Sequence, residues 1–140
     1  MVLYGIPRTT VDMDLMVDLE EENLRKFLQC MIDLGLKFRQ PVSMEDVLNP
    51  RWRERVSREK GALVLTLHNP DNPLEEVDFF IKNPIDFEEA YRRRRDIKGD
   101  GLSVSVIHQE DLIRMKEIAG REGDLMDVEL LRRLMDERQL

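Results

Sequence analysis

Apolar and acidic residues alternate from Val11 to Val17. A period of two predicts a half-buried strand, with Val11, Met13, Leu15 and Val17 facing the core and Asp12 and Asp14 sharing the opposite face. The period then changes. Leu24, Phe27, Leu28, Met31, Ile32 and Leu34 recur at helical spacing behind Asp18, which reads as an N-cap with Glu21 in an acidic first turn, and Gly35 ends the helix. Ser43 and Asp46 are placed to open a short helix after Pro41, whereas Arg51 to Arg58, around Trp52, shows no clear period and reads as a connecting segment. Two strand-like runs, Ala62 to Leu67 and Glu76 to Ile81, flank the turn-rich stretch His68 to Pro73 and predict an antiparallel pair. Ile85 to Arg95 reads as helix, Ser103 to Ile107 as a short strand, and about Gln109 to Ala119 and Gly123 to Arg138 as two further helices.

At 140 residues, 41% of them hydrophobic and 36% charged, the chain matches one domain with a single modest core, expected to span 1–140 with its helical pair at about 109–138. No apolar stretch reaches the ~20 residues of a membrane-spanning helix, and no signal-peptide pattern opens the chain, so a cytoplasmic location without membrane attachment is expected. Cys30 is the only cysteine, and with His68 and His108 the only histidines, cysteine-built and histidine-rich metal sites are excluded. A net charge of −7 argues against broad nonspecific nucleic-acid binding but leaves room for a local basic patch.

The chemistry lies with oxygen ligands. Alternate strand residues lie ~6.6 Å apart and point the same way, so Asp12 and Asp14 are able to present two carboxylates to one cation or to a close pair. Such hard donors favour magnesium or manganese. Asp78, embedded in Val77-Asp78-Phe79-Phe80, is a costly charge among apolar neighbours unless it is paired or binds metal, and as a third carboxylate it would complete a site able to hold metals bridging a nucleoside triphosphate and its attacking group. On their own, Asp12 and Asp14 read first as the solvent face of an amphipathic strand.

The surrounding residues shift that weighting. The segment Gly5-Ile6-Pro7-Arg8-Thr9-Thr10-Val11-Asp12-Met13-Asp14-Leu15 resembles the G-x-P-R-x-T-x-D-x-D-hydrophobic segment of minimal nucleotidyltransferases of the DNA polymerase beta superfamily, nearest to the abortive-infection (AbiEii-like) and related small bacterial branch. Glu110-Asp111-Leu112-Ile113 through Lys116, Ala119-Gly120-Arg121, Asp124 and Asp127 resembles the same family's C-terminal helical motif, in the family's order and with the Asp78 run between. The resemblance implies an α/β (α+β) nucleotidyltransferase fold: a small mixed sheet flanked by helices, its first strand and most of its first helix missing here. It further implies Mg2+- or Mn2+-dependent transfer of a nucleoside monophosphate from a nucleoside triphosphate to an acceptor hydroxyl on RNA, protein or a small molecule. Asp12, Asp14 and Asp78 would be the catalytic metal ligands, with Asp78 activating the acceptor. Lys116 would contact triphosphate, Arg8 and Thr9 would touch phosphate or fix their loop, and Arg121, Asp124 and Asp127 would belong to the nucleotide site. Arg121 paired with Asp124 or Asp127 equally reads as a lock between helices, and Lys116 as a solvated helix residue.

The family's strand ending in Gly-Gly is expected to be missing from this sequence, Gly5 matching the later position, either because the sequence starts downstream of the natural start or because the chain is a truncated relative. Glycines at that point let backbone amides approach the triphosphate, so weaker nucleotide binding is expected, as is an open sheet edge for a second copy of the chain to cover. The alternative is an inactive domain that keeps the fold for oligomerisation or partner binding; a toxin held by an antitoxin partner is a third expectation. Arg92 to Arg95, with Arg51 to Arg58 and Trp52, reads either as an RNA-binding patch or, preferred here, as a helix end whose cations pair with nearby acids. His68, placed in the turn, and His108 are expected at the surface or capping, and Met13, Met16, Met31 and Met115 as core filler.

Overall fold

A computed structural model describes residues 12–119 together with 126, 128–130, 132 and 133. Within them the chain is a mixture of helices and two sheets, divided into two compact units on either side of the boundary between Asn83 and Pro84.

The first unit runs β1 (Asp12–Leu15), α1 (Glu21–Asp33), β2 (Lys37–Phe38), α2 (Met44–Leu48), α3 (Pro50–Lys60), β3 (Val64–Asn69) and β4 (Asn72–Phe80). Its sheet has the order β1-β4-β3-β2, with β1 parallel to β4 and the other pairs antiparallel, so it is mixed. One face is apolar. Leu65, Leu67 and Phe79 project from it into a core completed by Leu24 and Leu28 of α1 and by Val47 and Leu48 of α2, with Trp52 and Val56 of α3 packed against it. The three helices therefore cover one side of the sheet, and the residues alternating with Leu65, Leu67 and Phe79 face the other side.

Several expectations hold in detail. Ser43 and Asp46 form a reciprocal capping box at the start of α2. Gly35, at φ +89°, follows α1's last turn. The predicted hairpin is β3–β4, although it is tighter than expected, with only Pro70-Asp71 between the strands, because Asn69 and Asn72 still pair across it. His68 accordingly sits in β3 and not in a turn.

Other expectations are corrected. The cap of α1 is Glu20, whose carboxylate accepts from the N–H groups of Glu22 and Asn23, while Asp18 accepts from Glu20 N–H one step earlier. These two bonds hold the Glu20 carboxyl below its usual range. Ile32 and Leu34 are exposed, and Leu36 enters the core in their place, because α1 ends before the helical spacing brings Leu34 inward. Met13, expected inside, is 48% exposed, since β1 is paired only with β4 among the described residues. The supposed connector around Trp52 is α3. Asn49 caps it, Pro50 occupies its first turn, and Gly61 ends it in the left-handed region at φ +64°. Its buried side carries Arg53 and Ser57, so its amphipathic period is hidden in sequence.

The second unit contains α4 (Phe87–Arg92), the hairpin of β5 (Arg95–Gly99) and β6 (Leu102–Val106), α5 (Gln109–Ala119), and helical residues among 126–133. Asp86 caps α4, which is shorter than predicted because Arg95 already belongs to β5, a strand not anticipated from sequence. Asp100 and Gly101, both at positive φ, make the β5–β6 turn. Val106, Ile113 and Val128 form this unit's core with Leu112 and Leu130 against it. His108 caps α5, its Nδ1 accepting from Glu110 N–H. The rest of the predicted last helix lies outside the described residues. None of the described helices is long and apolar enough to cross a membrane.

Candidate functional site

Pairing of β1 with β4 sets Asp14 opposite Asp78 and Asp12 opposite Glu76. Adjacent strands are about 4.8 Å apart, and residues in register on them share a face, so Asp14 and Asp78 lie on neighbouring positions of the face turned away from α1–α3, with Asp12 at the alternate register position of β1. On β4 this alternation is the reason Asp78 and Phe79 have opposite fates: Phe79 is fully buried in the core, while Asp78 is half-buried on the carboxylate face.

The cost of a partly buried charge at Asp78 is met by β3. Thr66, in register with Asp78, donates its hydroxyl to Asp78 Oδ1 at 2.6 Å, which fixes the carboxylate plane and leaves Oδ2 as the second acceptor. Two register positions away, on the same face, His68 stands opposite Glu76, whose Oε1 forms an ion pair with Arg39 at the end of β2. The sequence pattern places Thr66 and Glu76 in strands but marks none of Thr66, Glu76 and Arg39 as a site residue. The signal for Thr66 was there: Leu65-Thr66-Leu67-His68 alternates, and the apolar members of that run face the core.

As donors, Asp14 and Asp78 are hard oxygen ligands suited to magnesium or manganese. No group of three or more His, Cys, Asp or Glu side chains able to hold a metal is found among the described residues. The Asp12 side chain is not among them, though its backbone is placed in β1. Arg8, Thr9, Arg121, Asp124 and Asp127 also lie outside the described residues. Lys116 is half-buried on α5 in the second unit.

Three arginines of the basic runs have specific partners. Arg93 makes a two-point contact with Asp111, Nε to Oδ2 at 3.1 Å and Nη2 to Oδ1 at 2.8 Å, which raises the guanidinium above its usual range; Asp111 is 1% exposed. Arg94 pairs with Asp96 and stacks over Tyr91, 3.9 Å from the ring centre. In α3, Arg53 is buried and donates to Val47 C=O at the end of α2, and burial pushes its guanidinium below the usual range. Trp52 packs against the core, which leaves Arg51, Arg55 and Arg58 exposed on α3. A cavity of about 350 Å³ lined by Ile32, Gly35, Leu36, Lys37, Phe38 and Met44 contains no carboxylate, nucleophile or imidazole. Searches against protein-family models, curated proteins and solved structures returned no match to this chain.

Proposed function

We propose that this chain is a nucleotidyltransferase that uses Asp12, Asp14 and Asp78 to transfer a nucleoside monophosphate from a nucleoside triphosphate to an acceptor hydroxyl. The observation that carries the reading is the register of Asp14 against Asp78, with Asp12 one alternation away on β1. The motif resemblance of residues 5–15 and 110–127 supports it from sequence. A magnesium ion held by these carboxylates would neutralise the triphosphate and polarise its α-phosphorus.

The protein's own part follows from the donor set. Asp78 Oδ1 is engaged by Thr66, so Oδ2 is the atom placed to take the proton of an acceptor hydroxyl. The acceptor oxygen forms a bond to the α-phosphorus, the bond from that phosphorus to the bridging oxygen breaks, and pyrophosphate leaves with the electron pair. Thr66 holds the Asp78 carboxylate in one plane during this exchange. Lys116 is proposed as a triphosphate contact on the motif resemblance alone.

The test is pyrophosphate release with each of the four nucleoside triphosphates and a mixed RNA, protein and small-hydroxyl acceptor pool. Asp14→Asn and Asp78→Asn, each checked for fold by circular dichroism, are expected to abolish magnesium-dependent release. Release that is unchanged in both variants would overturn the assignment.

A further inference from the structure

The carboxylate face carries a cation as well as acids. Two rungs cross this sheet in register: Asp12, Glu76, His68 and Lys37 form one, and Asp14, Asp78 and Thr66 the next. Arg39 continues the second rung beyond β2, where its backbone N–H donates to Thr66 C=O. Its guanidinium crosses β3 and pairs with Glu76 on β4. Glu76 and Asp78 are alternate residues of one strand face, so the guanidinium is held on that face roughly 7–10 Å from the Asp78 carboxylate.

The two members of the ion pair differ in exposure. The Glu76 side chain is 17% exposed and that of Arg39 52%, so the acid is the anchor and the guanidinium keeps N–H groups turned to solvent. A planar guanidinium in that position matches the paired oxygens of a phosphate. Beside carboxylates that bind a cation, it also has opposite effects on two ligands: it repels a bare divalent ion and attracts a polyanion.

We propose that Arg39 binds the polyphosphate of the substrate, taking the phosphate oxygens farther along the sheet from Asp14 and Asp78. The inference rests on the nucleotidyltransferase reading above. It gives Arg39 a role separable from strapping β2 to β4, because a strap has no reason to affect two ligands with opposite signs.

The experiment uses the full chain and two probes: Mn2+ binding by electron paramagnetic resonance, and inorganic triphosphate binding in magnesium by calorimetry. Arg39→Gln is expected to bind Mn2+ about two- to five-fold more tightly, the effect of removing one positive charge at this distance in a largely aqueous setting. The same variant is expected to bind magnesium triphosphate about ten-fold or more weakly. Arg39→Lys keeps the charge without the fork and should recover part of the triphosphate affinity. Glu76→Gln breaks the same ion pair but keeps the cation, so triphosphate should bind at least as tightly as to wild type. Unchanged triphosphate affinity in Arg39→Gln, or equal weakening in Arg39→Gln and Glu76→Gln, would overturn the proposal. A wild-type chain that binds no Mn2+ would overturn the nucleotidyltransferase reading itself, and that result is visible before any Arg39 variant is measured.

Discussion

Phe79 connects the core to the site, because it alternates with Asp78 on β4 and pairs in register with Leu15 of β1 and Leu65 of β3. Its ring is fully buried and meets Phe27 of α1 edge-to-face, centres 5.2 Å apart at 63°. Phe79→Ala removes that ring from a site closed on all sides, and such truncations cost about 3–5 kcal/mol. The edge-to-face pair accounts for roughly 0.5–1.5 kcal/mol of coupling. With a urea dependence of about 1.5 kcal/mol per molar, typical of a small unit, the midpoint should fall by roughly 2–3 M. Trp52, the single tryptophan, packs against this core, so its fluorescence reports the transition directly. A total stability near the low end of about 5–15 kcal/mol would leave Phe79→Ala only marginally stable, with up to about half of it unfolded, and Phe79→Leu, costing roughly 1–2 kcal/mol, then keeps the series measurable. A double-mutant cycle with Phe27→Ala isolates the pair. A Phe79→Ala midpoint within about 0.5 M of wild type at unchanged slope would refute the placement of Phe79 in the core, and with it the alternation that turns Asp78 to the other face.

Further outcomes follow from the caps and ion pairs. The folded-state pKa of Glu20 is below its ordinary 4.5, so its contribution is present above that value and lost as pH falls through the folded-state pKa. Glu20→Gln should therefore be less stable than wild type at neutral pH, with the difference closing in acid when thermal midpoints are compared across pH. Gly61→Ala should cost about 1–2 kcal/mol in urea titration, all of it from the left-handed backbone, because a Cβ there meets nothing within 4 Å. Asp111→Asn removes the charge that Arg93 grips at two points, and amide exchange in α5 should quicken by roughly ten-fold or more.

Much of the first unit was legible because its signals are local. The Asp12 to Leu15 alternation, the β3–β4 hairpin and the Ser43 capping box each depend on neighbours within a few residues, as does the start of α5 in the second unit. What escaped depends on contacts distant in sequence, on polar residues in apolar positions, or on strands with no burial pattern. Arg53 faces inward on α3 because Val47 C=O accepts its proton, and that substitution of a hydrogen bond for an apolar contact erased the helical period. β5 is a strand with every residue exposed, held by β6 across a two-residue turn, so it carries no burial pattern to read. β2 is two residues long and exists only through β3. The same division applies to the site. Asp12, Asp14 and Asp78 were selected from spacing and resemblance, but the opposition of Asp14 and Asp78 is a pairing across more than sixty residues, and Arg39 reaches Glu76 across an intervening strand.

The central claim is that Asp12, Asp14 and Asp78 form one cation site. Substoichiometric Mn2+ added to isotope-labelled protein should broaden the amide signals of Asp12–Leu15 and of Glu76–Phe79 first, and the broadening should disappear in Asp14→Asn and in Asp78→Asn. Broadening spread over the acidic surface, or unchanged in both variants, would contradict the account.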